Sequence, residues 1–443
     1  MDYIANIRVK SGYPIQSFGG LNFFFSDPLF ASIAKSLDSV LGARERQGVV
    51  YRHSDILGAL MYSVLCGGSC IEDVNRCRSE IRQIPGKSRI PSSDTTLRYL
   101  EELSTENSDF SHPASQISYN FNINSKLNDL LMQSVLRCFD LRKDGEWVDF
   151  DYDNVLIKTE KQDAKYTFEE CRGYFPGVAF VNGHPFYIEN RDGNAPPTYR
   201  QADTLKRAFE LLERHGLRVR NAVMDCGSYT KEILKEVSKH ASRVFIRAVN
   251  TDYYRSLANE STVGWHPVRL EGGRKLESRR VVFDNFPGFS EKGYEIVLYR
   301  QIDSSYDGTL FEKKQYKCFA ILTNAKELSD KEVIETYNAR GAVERNFDQL
   351  KNDFNWSRLP SSEMKSNTVF MILMAILRNL YTAFVEGLSR ITSLPRTSRL
   401  KAFIYNFVTC PAQWVKEKSG WYLDLFSPPD ILLQYVRRRK VQV

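Results

Sequence analysis

The sequence predicts an α/β protein: a mixed β-sheet flanked by helices, preceded by a mostly helical region and interrupted by a β-rich segment. Three observations carry this. From Trp147 to Asp153 large apolar or aromatic residues alternate with acids, a period of two. Two strand-like runs, Tyr174 to Phe180 and His184 to Ile188, are joined across Asn182-Gly183, the strongest short-range hairpin signal. Helical and strand-like stretches then alternate as far as Ile246. With 443 residues, 42% of them hydrophobic, the chain can bury a sizeable core and form several domains.

Taken in order, residues 1–140 read as a mostly helical N-terminal DNA-binding region. His53-Ser54-Asp55 can begin a helix, and Ile56, Leu57, Leu60, Met61, Val64 and Leu65 follow at helical spacing. Beyond the turn at Pro85-Gly86 and Pro91, the capping run Ser92-Ser93-Asp94 leads a short helix. Its polar first turn suits the recognition helix of a helix-turn-helix, with Arg98 the candidate DNA contact. Basic residues cluster nearby at Arg76, Arg78, Arg82, Lys87 and Arg89.

Residues 141–250 form the first part of the core. After the Trp147 strand and the hairpin come a helix over about Thr198–His215, a strand Asn221–Met224 stopping at Asp225, a helix over about Thr230–Lys239, and the strand Val244–Ile246. A ribonuclease-H-like fold has this order. Residues 251–318 carry strand-like runs at Val268–Leu270, Arg280–Phe283, Tyr294–Tyr299 and from Tyr316, a β-rich insertion. Helices resume near Asp330 in a second core part, 319–390, and a helical C-terminal region, 391–443, ends on the basic tail Arg437-Arg438-Arg439-Lys440.

Composition narrows the function. The net charge of +7 is compatible with nucleic acid without requiring it. Eight cysteines include no C-x-x-C pair, and Cys66, Cys70 and Cys77 are expected on one helical face, packed in the core. With no signal peptide at the start given, a cytoplasmic protein with reduced thiols is expected. The longest apolar run, Val369–Leu377, is far short of the roughly 20 residues a membrane span needs, so no membrane role is expected. No phosphate-binding G-x-x-x-x-G-K-[ST] loop is present, and the six histidines show no spacing of ligands or a triad.

The acids are the distinctive feature. Asp149, Asp151 and Asp153 share one face of a strand whose other face, with Val148 and Phe150, is buried. Like charges in a row oppose one another, and a strand feeding a core is a costly place for them. Asp225 stands directly after an apolar strand, where an acid can reach a ligand while its strand stays in the core. Finally Tyr337, Arg340, Glu344, Asp348 and Lys351 recur at intervals of three and four, one stripe of an α-helix, beside a packing face of Val343, Phe347 and Leu350. A salt-bridge-laced surface would have the same spacing.

Tyr337, Arg340, Glu344 and Lys351 also match, without a gap, the Y-(2)-R-(3)-E-(6)-K motif of a group of DDE transposases from bacterial insertion sequences, and the chain resembles that group. Asp149-Phe150-Asp151 looks like its first-strand motif, and Asp225-Cys226-Gly227-Ser228-Tyr229 like its second-acid motif. The resemblance covers about residues 145–360 well. It departs at Asp153, where the group has Ser or Thr, which leaves the first acid open among Asp149, Asp151 and Asp153, with Asp151 favoured.

The resemblance implies an Mg²⁺- or Mn²⁺-dependent enzyme with two ions held by Asp151, Asp225 and Glu344, Asp149 being a further candidate ligand. It implies cleavage at the ends of an insertion sequence and strand transfer into target DNA by a homodimer on double-stranded terminal inverted repeats. Tyr337, Arg340 and Lys351 would position phosphates, and Trp265 would be the aromatic that receives a flipped base. The competing readings are a ribonuclease-H-like nuclease that does not join, and a catalytically dead DNA-binding relative.

Overall fold

The alternation at Trp147 builds a central strand. Val148, Phe150 and Tyr152 are buried in one apolar cluster with Phe209, Leu212 and Val219, while the acids take the opposite face. This computed structural model describes residues 14–440 apart from 45–47, 112–116, 142–144, 250, 261–262, 287, 290–291 and 303–315. The chain divides into two compact units. One comprises Met1–Ser104, Leu350–Ser361 and Val369–Val443, the other Thr105–Gln349 and Ser362–Thr368.

The second unit holds one large mixed sheet. Its strands are β1 (Ser108–Ser111), β2 (Ser118–Asn122), β3 (Trp147–Asn154), β4 (Gly177–Val181), β5 (His184–Arg191), β6 (Arg218–Met224), β7 (Ala241–Arg247), β8 (His266–Arg269), β9 (Lys275–Val282), β10 (Glu295–Ile302) and β11 (Tyr316–Thr323). They lie in the order β1-β2-β5-β4-β3-β6-β7-β11-β10-β9-β8. β3 runs antiparallel to β4 and parallel to β6, and β6 runs parallel to β7. β3 is therefore an interior strand, paired on both sides. The β4–β5 hairpin turns on Asn182 and Gly183, both at positive φ (49° and 79°), as a type I′ turn demands.

Helices Ser125–Cys138, Gln201–Arg214 and Lys231–His240 follow the expected order. Thr230 caps the last, its side chain accepting from Ile233 N, which leaves Asp225 outside that cap. The β-rich segment differs from expectation in two ways. It opens with a helix, Asp252–Glu260, and its strands extend the core sheet, because β11 returns to pair antiparallel with β7.

The helical reading of residues 1–140 also missed β1 and β2. Tyr119 and Phe121 of β2 are buried, and β2 pairs with β5 through Phe121–Arg191 and Asn122–Asn190, a contact too distant in sequence to leave a local pattern. In the first unit, the C-terminal region expected to be helical contains an antiparallel hairpin, Ala412–Glu417 with Gly420–Leu425. The three cysteines do not share a helical face. Cys66 ends the helix His53–Leu65, where Gly67 turns at φ 89°; Cys70 is exposed in the loop beyond, and Cys77 is buried in the next helix.

The run Val369–Leu377 is the middle of a helix, Met364–Ser389, long and apolar enough by composition to cross a membrane. Its most apolar 18-residue stretch is 83% buried inside the molecule, which accounts for its hydrophobicity as core packing. Trp356 is likewise fully buried, its indole N–H donating to Met371 O at 3.2 Å.

Candidate active site

Asp151 and Asp153 point from β3 to the same face, and Asp225 follows β6, the parallel neighbour, in extended conformation. The turn after Asp225 is made of small residues. A Cβ on Gly227 would stand 3.0 Å from Asp225 Oδ1, so glycine keeps space beside the carboxylate. Ser228, fully buried, accepts from Gln201 Nε2 at 2.8 Å and ties the turn to the adjoining helix.

Arg340 closes this group. Its Nη2 lies 2.6 Å from Asp153 Oδ2 and its Nε 3.5 Å from Asp151 Oδ1. The two contacts are unequal. The first is a hydrogen bond, whereas Asp151 Oδ1 and Arg340 Nε are buried and neither has a hydrogen-bond partner. Asp153 Oδ1 additionally accepts from Asn154 N at 2.8 Å. Both oxygens of Asp153 are thus engaged, and one oxygen of Asp151 is not.

Burial sets the electrostatics. It pushes the Asp151 carboxyl well above the ordinary carboxylate range; Arg340 opposes that shift, while Asp153 and Asp225 add to it. Burial likewise raises Asp153 to about 6, with Arg340 opposing and Asp225 adding. Burial works against the Arg340 charge, but Asp153 and Asp151 outweigh it and the guanidinium is held above its usual range. Tyr337 is raised to about 12, first by burial, and lies 5.8 Å by ring centroid from the Arg247 guanidinium.

The expected single stripe from Tyr337 to Lys351 is broken. One helix, Asp330–Ala339, ends at Arg340 and another, Gly341–Asn352, begins after it. At the junction Arg340 N bonds Tyr337 O at 3.1 Å and Val343 N bonds Arg340 O at 2.8 Å. Both are i→i+3 bonds, the tight geometry of a helix terminus. Gly341, the weakest helix former in the run, sits at the break. Arg340 therefore points to the acids, while Glu344 is exposed on the second helix and Lys351 half-buried two turns further along it.

The structure thus brings Asp151, Asp153, Asp225, Arg340 and Tyr337 within electrostatic reach of one another, while Glu344 is exposed on the following helix. Among the described residues no three acidic, histidine or cysteine side chains are grouped closely enough to hold a metal ion. Asp149 is exposed on the same face, accepting from Asn221 Nδ2 at 2.8 Å, and its backbone N–H donates to Asn182 Oδ1 at 2.9 Å. Trp265 is half-buried with the Arg300 guanidinium 4.1 Å from its ring centre, so one ring face is taken.

In the first unit Arg98 is exposed on the helix Ser93–Glu102, its Nε donating to Asp94 O at 3.2 Å. The other charged residues exposed on that helix are Asp94, Glu101 and Glu102, which gives it no net positive face toward a phosphate backbone. Asp153 was visible in the sequence only as an acid sharing the face of Asp151. Its partner lies 187 residues away, with no local signal to announce the pairing.

Half-buried carboxylates on two adjacent parallel strands, faced by one guanidinium, make an acidic cluster on the sheet of an α/β protein. The sequence matches the family described as Transposase DDE domain group 1 over residues 9–402, and the chain belongs to that DDE transposase family. A solved structure, the cryo-EM piggyBac transposase synaptic complex with hairpin DNA, is similar at 12% sequence identity. The match covers 88% of this chain and 79% of that one, with a TM-score of 0.43. No curated protein matches the sequence.

Proposed function

We propose that this protein is a metal-dependent transposase that cleaves DNA at the ends of a bacterial insertion sequence and joins them to target DNA. The observation that carries this is the buried Asp151 oxygen without a hydrogen-bond partner, beside Asp153 and Asp225 on adjacent strand ends. A buried carboxylate oxygen that accepts no hydrogen bond and meets only a guanidinium at 3.5 Å is costly and suits a hard cation, for which carboxylates are the natural donors. The run β5-β4-β3-β6-β7, with its two antiparallel and two parallel pairings, supports a ribonuclease-H-like core.

Asp151 and Asp225 would hold Mg²⁺ or Mn²⁺, with Glu344 brought in from its helix; Asp149, tied to Asn221, is the weaker candidate. A pair of such ions, when bound, activates the attacking water or 3′-hydroxyl and stabilises the leaving oxygen. The chain's own residues orient the DNA: Arg340, Lys351 and Tyr337 supply donors for phosphates flanking the scissile bond. Its partners are then double-stranded terminal repeats and target DNA, engaged by a homodimer associated with the bacterial nucleoid.

The test is cleavage of labelled DNA carrying the parent element's own ends, with Mg²⁺, by wild type, Asp225→Ala and Glu344→Ala. The proposal expects nicking and joining by wild type, and binding without either by both variants. Cutting without joining would identify a nuclease. Equal binding and no cutting by all three would identify a DNA-binding relative, a reading that the exposed Glu344 favours.

A further inference from the structure

We propose that Asp153 is a positioning residue: it holds Arg340 beside Asp151 as an internal counter-cation, and metal binding at Asp151 releases Arg340 toward a DNA phosphate. This deepens the metal-dependent reading above and rests on it.

Three observations carry the assignment. The first is the division of labour between the two strand acids. Asp153 has one oxygen on Asn154 N at 2.8 Å and the other on Arg340 Nη2 at 2.6 Å. Asp151 Oδ1 faces Arg340 Nε at 3.5 Å without a hydrogen bond. Asp153 is bonded as an anchor, and Asp151 is left with the oxygen that a cation would take.

The second is confinement. The side chains of Arg340, Asp151 and Asp153 are only 12%, 13% and 21% exposed, so little solvent screens them. A divalent cation on Asp151 Oδ1 would sit within a few ångströms of the guanidinium. Like charges that close in a poorly screened site repel strongly, so the two occupants exclude one another.

The third is the joint. Arg340 lies between two helices, held by i→i+3 bonds on either side and followed by Gly341. From that junction the long arginine side chain can re-aim its guanidinium by a change of rotamer. The guanidinium that neutralises the acids before metal arrives is thereby available to a phosphate afterwards, and its planar fork suits that ligand. Metal binding and phosphate binding become coupled through one side chain, and such coupling acts in both directions.

The test measures Mn²⁺ affinity by electron paramagnetic resonance of the free ion, without DNA, for wild type, Arg340→Gln, Asp153→Asn and Asp151→Asn. The proposal expects Arg340→Gln to bind Mn²⁺ about ten-fold more tightly, Asp153→Asn several-fold more tightly, and Asp151→Asn far more weakly. Arg340→Lys, whose single ammonium cannot span both acids, serves if the glutamine variant does not fold, with an intermediate gain expected. In a second arm, saturating Mn²⁺ strengthens binding of a DNA duplex to wild type and adds nothing in Arg340→Gln. Unchanged or weaker Mn²⁺ affinity in the Arg340 variants overturns the counter-cation. Weaker affinity in Asp153→Asn makes Asp153 a ligand and overturns its holding role. If wild type binds no Mn²⁺ at all, the metal-dependent reading falls, and a failed holding role cannot be mistaken for it.

Discussion

Two buried acid–arginine groups lie in the same sheet and behave oppositely. On β5, fully buried Glu189 accepts from Thr204 Oγ1 at 2.9 Å, from Tyr187 Oη at 2.9 Å and from Arg207 Nη2 at 2.8 and 2.9 Å. Arg191 continues the network to Tyr152 Oη and Thr204 Oγ1 at 3.2 Å each, with only its Nε lacking an acceptor. On β3, two strands away, Asp151 Oδ1 accepts no hydrogen bond and Arg340 Nε donates none, the two standing 3.5 Å apart as an ion pair. A buried carboxylate surrounded by donors is part of the scaffold. One left short of partners is held in a costly state that the fold tolerates for use.

The contrast makes removal of each acid informative. On the proposed function, Asp225→Ala should lower DNA cleavage by at least ~10³-fold, about 4 kcal/mol of barrier, while the denaturation midpoint stays the same or rises. Loss of cleavage with an equal loss of stability would place Asp225 in the scaffold. Glu189→Ala should do the reverse, costing ~3 kcal/mol of stability because half-buried Arg207 and the donors Thr204 and Tyr187 lose their shared partner. Urea unfolding reads that directly. Thr204→Val removes one donor to Glu189 and one acceptor from Arg191, at a cost of about 1–3 kcal/mol with cleavage intact.

A smaller effect comes from a satisfied polar group in the first unit. His53 is buried, with Nδ1 3.1 Å from Tyr99 Oη and Nε2 3.2 Å from Gly42 O. Burial first, then the Arg44 charge, lowers its pKa from the ordinary 6.5. The folded state therefore favours the neutral ring. The stability this contributes is present above about pH 6.5 and is lost as pH falls through the lower folded value. Wild type should lose stability relative to His53→Gln between pH 7 and 5, by chemical denaturation at each pH. A flat difference would show that the ring is not held neutral.

Much of this arrangement was legible in the sequence because it is local. Alternation predicted β3 and its buried face, Asn182-Gly183 predicted the hairpin through its need for positive φ, and Asp225 was visible at the end of an apolar strand. What was not legible depends on distant partners. β1 and β2 are polar and short, and exist because β2 pairs with β5. The C-terminal hairpin alternates only weakly. The helix break at Arg340 had one local mark, Gly341, and the contact that Arg340 makes there, with Asp153, lies 187 residues away. The helical stripe predicted for Tyr337 to Lys351 followed from spacing alone, and tertiary contacts overrode it.

The most direct test of the central claim, that the Asp151 oxygen without a hydrogen bond belongs to a cation site, is the melting temperature of wild type and Asp151→Asn with and without Mg²⁺. Ligand that binds only the folded state stabilises it by mass action. Mg²⁺ should raise the melting temperature of wild type and leave that of Asp151→Asn unmoved, the variant being at least as stable as wild type without metal. Equal shifts in both proteins, or none in either, would contradict the account.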